Sequence, residues 1–230
     1  MKDNKSAYNA NIYDENIVNT LPYYKEYSAQ IIDLVNATGK KDITWLDTGC
    51  GTGTLAVRVL GERDDVSFTL CDPSEQMLEI AKNKLSGLGV NEDIKKTIKY
   101  FNISSGDISF SGEFDVVTAV QSHHYLTVEE RKKAVQNCYN ALKDGGIFVA
   151  FENVRMSTDE SDELTLKRWV HFLEEHGNSP EKVQMQLDRR GTEVLPITIE
   201  QHIEILRECG FRSANVLWAS YLQAGVWGIK

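Results

Sequence analysis

Proline and cysteine are both scarce in this chain of 230 residues, with four of each. The cysteines, Cys50, Cys71, Cys138 and Cys209, are scattered, and no two form a C-x-x-C pair. That pattern excludes a disulfide framework and gives no zinc-ligand spacing, so no metal is expected. No run of about 18 apolar residues occurs, which predicts no membrane-spanning helix. The opening MKDNKSAYNANIYDEN is polar and lacks the apolar centre of a signal peptide, so a cytoplasmic protein with reduced thiols is expected. Positive charge is also short: Lys and Arg total 25 against 34 Asp and Glu, a formal net charge of -9. Such a surface repels phosphate backbones and anionic lipid, so neither nucleic acid nor membrane is an expected partner. The densest basic stretch, Lys95, Lys96 and Lys99, reads as a solvated run. No internal repeat or low-complexity tract is present.

What is there is ordinary globular material, 41% hydrophobic and 26% charged. Apolar residues recur at helical spacing over residues 23–35, and Gly39 stops that helix. Residues 43–47 are short, apolar and partly β-branched, as in a buried strand. A glycine-rich turn follows over 49–53, then a helix over 54–60. A second strand over 66–71 ends at Asp72-Pro73, and Ser74 is placed to cap a helix over 75–85. The rhythm continues with strands near 98–103 and 114–120, a helix over 128–142, a turn at Asp144-Gly145-Gly146 and a strand over 147–152. Strands alternating with helices imply a parallel sheet with right-handed crossovers.

Residues 157–195 break this rhythm. They are charged and helical, with Trp169, Phe172 and Leu173 as one apolar stripe, and are too long for a loop. An inserted helical cap is expected. A helix over 198–209 closes at Gly210. Two strands, 214–220 and 226–229, then follow with too few residues between them for a crossover helix, so they must pair antiparallel. The organisation expected is one domain: an N-terminal helical lid (1–39), a core (40–153), the cap (154–197) and a C-terminal helix and hairpin (198–230).

The loop Leu46-Asp47-Thr48-Gly49-Cys50-Gly51-Thr52-Gly53 lies between a strand and a helix, where glycines let the backbone approach a ligand. Its spacing is G-x-G-x-G. The dinucleotide fingerprint G-x-G-x-x-G fails, with Thr54 at its third glycine, and no Walker lysine is present. About twenty residues on, Asp72 ends the second strand, where a carboxylate can accept from both hydroxyls of a ribose.

With these residues in place, the chain resembles the class I S-adenosylmethionine (SAM)-dependent methyltransferases of the small-molecule type. The resemblance rests on LDTGCGTG (46–53), CDPSEQMLEIAK (71–82), SGDI (105–108), FDVVTAVQSHHYL (114–126) and LKDGGIFV (142–149). It implies an α/β, Rossmann-like sheet of seven strands, mostly parallel with an antiparallel last strand, and helices on both faces. It implies SAM as cofactor and S-adenosylhomocysteine (SAH) as product. Asp47 and the backbone at Gly49, Gly51 and Gly53 would hold the methionine part, and Asp72 the ribose. Met77 would pack on the adenine, Asp107 and the Ile108 amide would reach its edge, and the backbone from Ala119 to Gln121 would line the sulfonium end. Tyr13, in the lid YDENIVNTLPYY (13–24), would close over SAM.

The expected reaction is methyl transfer to a small acceptor by in-line displacement, in a monomer or homodimer. His123 and His124 follow the fourth strand and are the candidate bases for the acceptor proton. Arg189 and Arg190 could bind a carboxylate or phosphate on the acceptor. Trp218 and Tyr221 could line its pocket or pack the core. Three rival readings stand beside this one. An NAD-dependent oxidoreductase is opposed by the loop spacing and the hairpin. A SAM-modifying enzyme similar to carboxy-SAM synthase is raised by the lid's YD…P-Y pattern. A non-catalytic SAM-binding protein is the third.

Overall fold

The computed structural model describes residues 4–89 and 92–230, so the first three residues of the expected lid lie outside it. Seven strands form one sheet in the order β3-β2-β1-β4-β5-β7-β6. They are β1 (Ile43–Thr48), β2 (Val66–Cys71), β3 (Lys99–Phe101), β4 (Phe114–Val120), β5 (Leu142–Asn153), β6 (Ser213–Ser220) and β7 (Gln223–Ile229). β1 to β5 pair in parallel, whereas β7 lies antiparallel between β5 and β6. This is the expected doubly covered sheet with its closing hairpin.

Side chains alternate across the sheet because successive Cβ atoms point to opposite faces. On β5, Ile147, Val149 and Phe151 join one core with α2 (Tyr24–Ala37) and α3 (Thr54–Glu62). Phe148 and Ala150 join the other core with α6 (Val128–Ala141) and α9 (Ile199–Glu208). The expected Ser74 cap forms, and threonines cap α6 and α9. Ser74 Oγ accepts from the Met77 amide at the head of α4 (Glu75–Ser86), and Thr127 and Thr198 open α6 and α9 with capping boxes. Residues 157–195 hold two helices, α7 (Asp159–Glu175) and α8 (Pro180–Arg189). Trp169 and Leu173 are buried there against Val183 and Leu222, while Phe172 is only partly buried.

Two local expectations differ. Asp144-Gly145-Gly146 is not a turn before a strand but an irregularity inside β5, where Phe114 pairs with Leu142 and Val116 with Ile147. Gly145, at φ 74°, absorbs the extra residues. β3 is shorter than expected, because the chain turns at Asn102, whose Nδ2 donates to the Asp72 carbonyl at 3.0 Å. The basic stretch is solvated as expected, with Lys96 and Lys99 exposed on and just after a short helix, α5 (Glu92–Thr97).

The hairpin is locked by steric fit. Phe151 is fully buried and stacks on Tyr27 with ring centroids 4.9 Å apart. A Cβ on Gly225 of β7 would come within 2.5 Å of the Phe151 ring. Gly225→Ala is expected to destabilise the protein by about 1–3 kcal/mol by overpacking. Combined with Phe151→Leu, it should cost less than the two single changes added, since they share one contact. Urea titration of the four proteins checks this.

Candidate cofactor and substrate site

The loop after β1 is shaped by its glycines. Gly49, Gly51 and Gly53 have φ of 70°, 54° and 74°, a left-handed region that disfavours side chains. A Cβ on Gly49 would also lie 2.4 Å from Ser122 Cβ. The amides of Gly49 and Cys50 donate to the Cys71 carbonyl at 2.7 and 3.0 Å, stitching the loop to the end of β2. Asp72 completes the stitch. Its Oδ2 accepts from the Gly51 amide and its Oδ1 from the Ser74 amide, both at 2.8 Å.

Asp47 sits at the end of β1, 1% exposed. Burial is the main influence on it and raises its carboxyl to about 7. A 2.7 Å hydrogen bond from Thr118 Oγ1 opposes that rise, and the negative charge of Asp72 adds to it. Thr118 is oriented in turn by Trp45 Nε1, which donates to it at 3.0 Å.

These groups open into a cleft of about 930 Å³ at the carboxyl edge of the sheet. Tyr13, Asp47, Gly49, Gly51, Asp72, Met77, Asp107 and Gln121 all line it. Gly53 does not. It packs instead against α4, where its Cβ would lie 3.0 Å from that of Ala81. Met77 is also a core residue, 4% exposed. Asp107 accepts from Ser104 Oγ at 2.5 Å. Ile108 packs its side chain into the second core, outside the cleft. Gln121 has φ 54°. Its amide donates to the Phe151 carbonyl at 2.7 Å, and its side chain donates to Gln223 Oε1 at 2.9 Å.

The candidate bases lie elsewhere. Neither His123 nor His124 lines the cleft, and each is 2% exposed. Both serve Glu152 at the end of β5. Its Oε1 accepts from the His123 amide at 3.0 Å. Its Oε2 accepts from the His124 amide at 3.0 Å and meets His124 Nδ1 at 2.8 Å. Burial would raise the Glu152 carboxyl, but the His124 hydrogen bond and the charges of the surrounding histidines hold it at about 2. Burial pushes the His123 imidazole down to about 4, leaving it neutral near pH 7. His124 instead backs onto a smaller cavity, shared with Arg189, Arg190, Gln186 and Asn153. Tyr13, Gln121 and Tyr125 line both spaces and form the wall between them. Trp218 and Tyr221 line neither: Trp218 packs on Tyr27 and Phe151 of the main core, as one of the two expectations had it, and Tyr221 packs with Tyr23 and Phe172.

Sequence reasoning missed Glu152, Thr118, Tyr24 and Tyr125. Tyr125 carried a usable signal, since it follows the two histidines at the ligand-binding edge. Tyr24 lines the cleft and hydrogen-bonds Tyr13, whose hydroxyl is pushed up by burial.

Residues 46–148 match the family model described as "Methyltransferase domain". A carboxy-S-adenosyl-L-methionine synthase of Nitratiruptor sp. is 28% identical over 218 residues, covering 93% of this chain and 87% of that protein. Among solved structures, a putative O-methyltransferase from Nostoc punctiforme superposes with a TM-score of 0.64 at 14% identity, over 89% of this chain and 56% of that one. PigF with SAH superposes with a TM-score of 0.62 at 17% identity, over 94% of this chain and 64% of that one. At these identities the solved structures speak for the fold.

A buried carboxyl raised to about 7 has a definite effect on stability. Between its unfolded value of 3.8 and about 7 the native state holds a proton that the unfolded state does not, so Asp47 makes the ligand-free protein less stable as pH rises. His123 acts in the opposite sense, its contribution being lost as pH falls from 6.5 toward 4. Asp47→Asn keeps the side chain neutral at every pH. Its melting temperature relative to the parent should therefore rise from about pH 5 to about pH 8. A constant difference across that range in thermal scans would refute the assignment.

Proposed function

We infer that this chain, a class I SAM-dependent methyltransferase in its fold and its cofactor-binding domain, is an enzyme that moves the methyl group of SAM to a small-molecule acceptor. The observation that carries the reading is the buried, ligand-facing Asp47 carboxylate beside a left-handed glycine loop. SAM brings an ammonium and a sulfonium. A carboxylate desolvated by burial, whose charged neighbour Asp72 is also negative, is relieved by a cation placed there. The loop offers the close backbone approach that the methionine part needs. Asp72 is already oriented for the ribose, Met77 walls the adenine side, and Asp107 lies at the same edge.

When bound, SAM supplies an electrophilic methyl on a sulfur that leaves as a neutral thioether. The protein's own task is alignment and exclusion of water. Tyr13, Gln121 and Tyr125, between the cleft and the inner cavity, are the residues placed to aim an acceptor at the methyl. His124 contacts the inner cavity and is our candidate for orienting the acceptor. His123 acts through the backbone of the turn, with Glu152 and Arg131 holding it. The four free, buried cysteines fit a reducing compartment such as the cytoplasm.

A second reading is favoured by the Nitratiruptor relative: formation of a carboxylated SAM rather than methylation. Arg189 supports it. The residue is 8% exposed on the inner cavity and pairs with Glu193, whose side chain is 60% exposed, while Arg190 pairs with the more buried Asp162. A guanidinium at that place suits a carboxylate on either an acceptor or a modified SAM.

Titration calorimetry with SAH tests the cofactor reading. Asp47→Asn should weaken binding by about ten- to a hundredfold, the worth of a charged hydrogen bond. An unchanged affinity would overturn it. Mass spectrometry of nucleoside released from freshly purified protein separates the two chemistries: SAM or SAH for methyl transfer, SAM heavier by one carboxyl for the second reading. If the second reading holds, Arg189→Met should abolish retention of the carboxylated species.

A further inference from the structure

The lid consists of a 3₁₀ turn (Ala10–Ile12), α1 (Tyr13–Ile17) and the turn that follows to Pro22. It joins α2 at Tyr23, whose backbone is left-handed at φ 58°, ψ 27°, an uncommon conformation for a residue with a side chain. The far end of the lid is fastened to the cap. Trp169 Nε1 donates to the Thr20 carbonyl at 2.8 Å and Asn178 Nδ2 to the Asn19 carbonyl at 2.9 Å. At the near end the 3₁₀ turn packs against α4, and the Asp14 carboxylate reaches the glycine loop. Asp14 Oδ1 accepts from Thr52 Oγ1 at 2.6 Å and from Thr54 Oγ1 at 3.3 Å, and Oδ2 pairs with Lys84 Nζ. Thr52 belongs to the glycine loop, Thr54 begins α3 and Lys84 lies on α4. Asp14 therefore spans the three segments around the mouth of the cleft, and all four residues line it.

We propose that Asp14 is a positioning residue that latches the lid over bound SAM or SAH and sets how long the ligand stays. The proposal rests on the SAM reading above. The Asp14 and Lys84 side chains are 41% and 31% exposed. An ion pair so open to water adds little to folding stability and is weakened by salt. Its breaking releases only the contact with the loop, since Ile17 and Leu21 keep the lid seated in the main core, so its effect falls on ligand release. Tyr13, the residue before Asp14, is carried onto the cleft wall by the same contact.

The experiment is surface plasmon resonance of SAH on the immobilised full chain. Asp14→Asn should release SAH about tenfold faster with an association rate within about twofold of the parent, as expected when an interaction acts mainly on dissociation. Lys84→Met should release it several-fold faster. Raising KCl to about 0.5 M should speed release from the parent and leave Asp14→Asn nearly unaffected. Glu15→Gln, an exposed lid change outside the latch, should behave as the parent. The ligand-free melting temperatures of all variants should stay close together. Parental release rates in both Asp14→Asn and Lys84→Met would overturn the latch, as would a loss of ligand-free stability that accounts for the faster release. A parent that binds no SAH would overturn the cofactor reading, and the latch with it.

Discussion

The tie between Asp72 and the backbone around it is the constraint on which the site depends. One carboxylate takes the Gly51 amide on one oxygen and the Ser74 amide on the other. It thereby fixes the glycine loop of one βα unit to the helix head of the next. Parallel strands make this possible, because Thr48 and Cys71 lie in register at the same edge and both following loops emerge side by side. The left-handed turn at Gly51 is consequently fixed against the head of α4 by the fold itself.

A second fastening, at Glu152, does for the β4 edge what Asp72 does for the β1 edge. Glu152 collects two successive amides and the His124 ring. Arg131 closes the same turn from the other side by donating to the carbonyls of His123 and Leu195. The turn so fixed carries Ser122 toward the glycine loop, where its Oγ donates to the Thr48 carbonyl at 3.2 Å. The missing Cβ of Gly49 makes room for that approach. The two loops that frame the cleft are thus set by buried carboxylates and joined by a serine. A histidine pair that reads as acid–base machinery in sequence is, for His123, part of this scaffold.

The legibility of these features follows the range of the interactions behind them. Strand alternation, the Ser74 cap, the glycine turns and the hairpin are encoded within a few residues, and each was readable before any coordinates. The Asp72 site was readable because the βα rhythm places it one unit after the loop. The role of His123 was not, since it depends on Glu152, 29 residues away and on another strand. Asp14 was hidden more deeply, its partners being 38, 40 and 70 residues downstream. The Asp144-Gly145-Gly146 stretch misled for a different reason. Its composition is that of a turn, and only the pairing of Phe114 with Leu142 turns it into an interruption within β5.

The cleft and the inner cavity are built from different parts of the fold. The cofactor walls stand on strand ends and helix heads that the sheet holds in place. The lid, the cap and the turn after β4 meet around the inner cavity of about 40 Å³. That volume accommodates a water or two and no organic acceptor. For an acceptor to come within reach of the methyl, the wall of Tyr13, Gln121 and Tyr125 has to shift. Gln121 is fastened to Phe151 and Gln223, and Tyr125 follows the turn that Glu152 holds. Tyr13 stands on a five-residue helix ahead of the left-handed joint at Tyr23. On the proposal that Asp14 latches the lid, acceptor entry and cofactor retention would depend on the same segment, which Ile17 and Leu21 anchor in the main core.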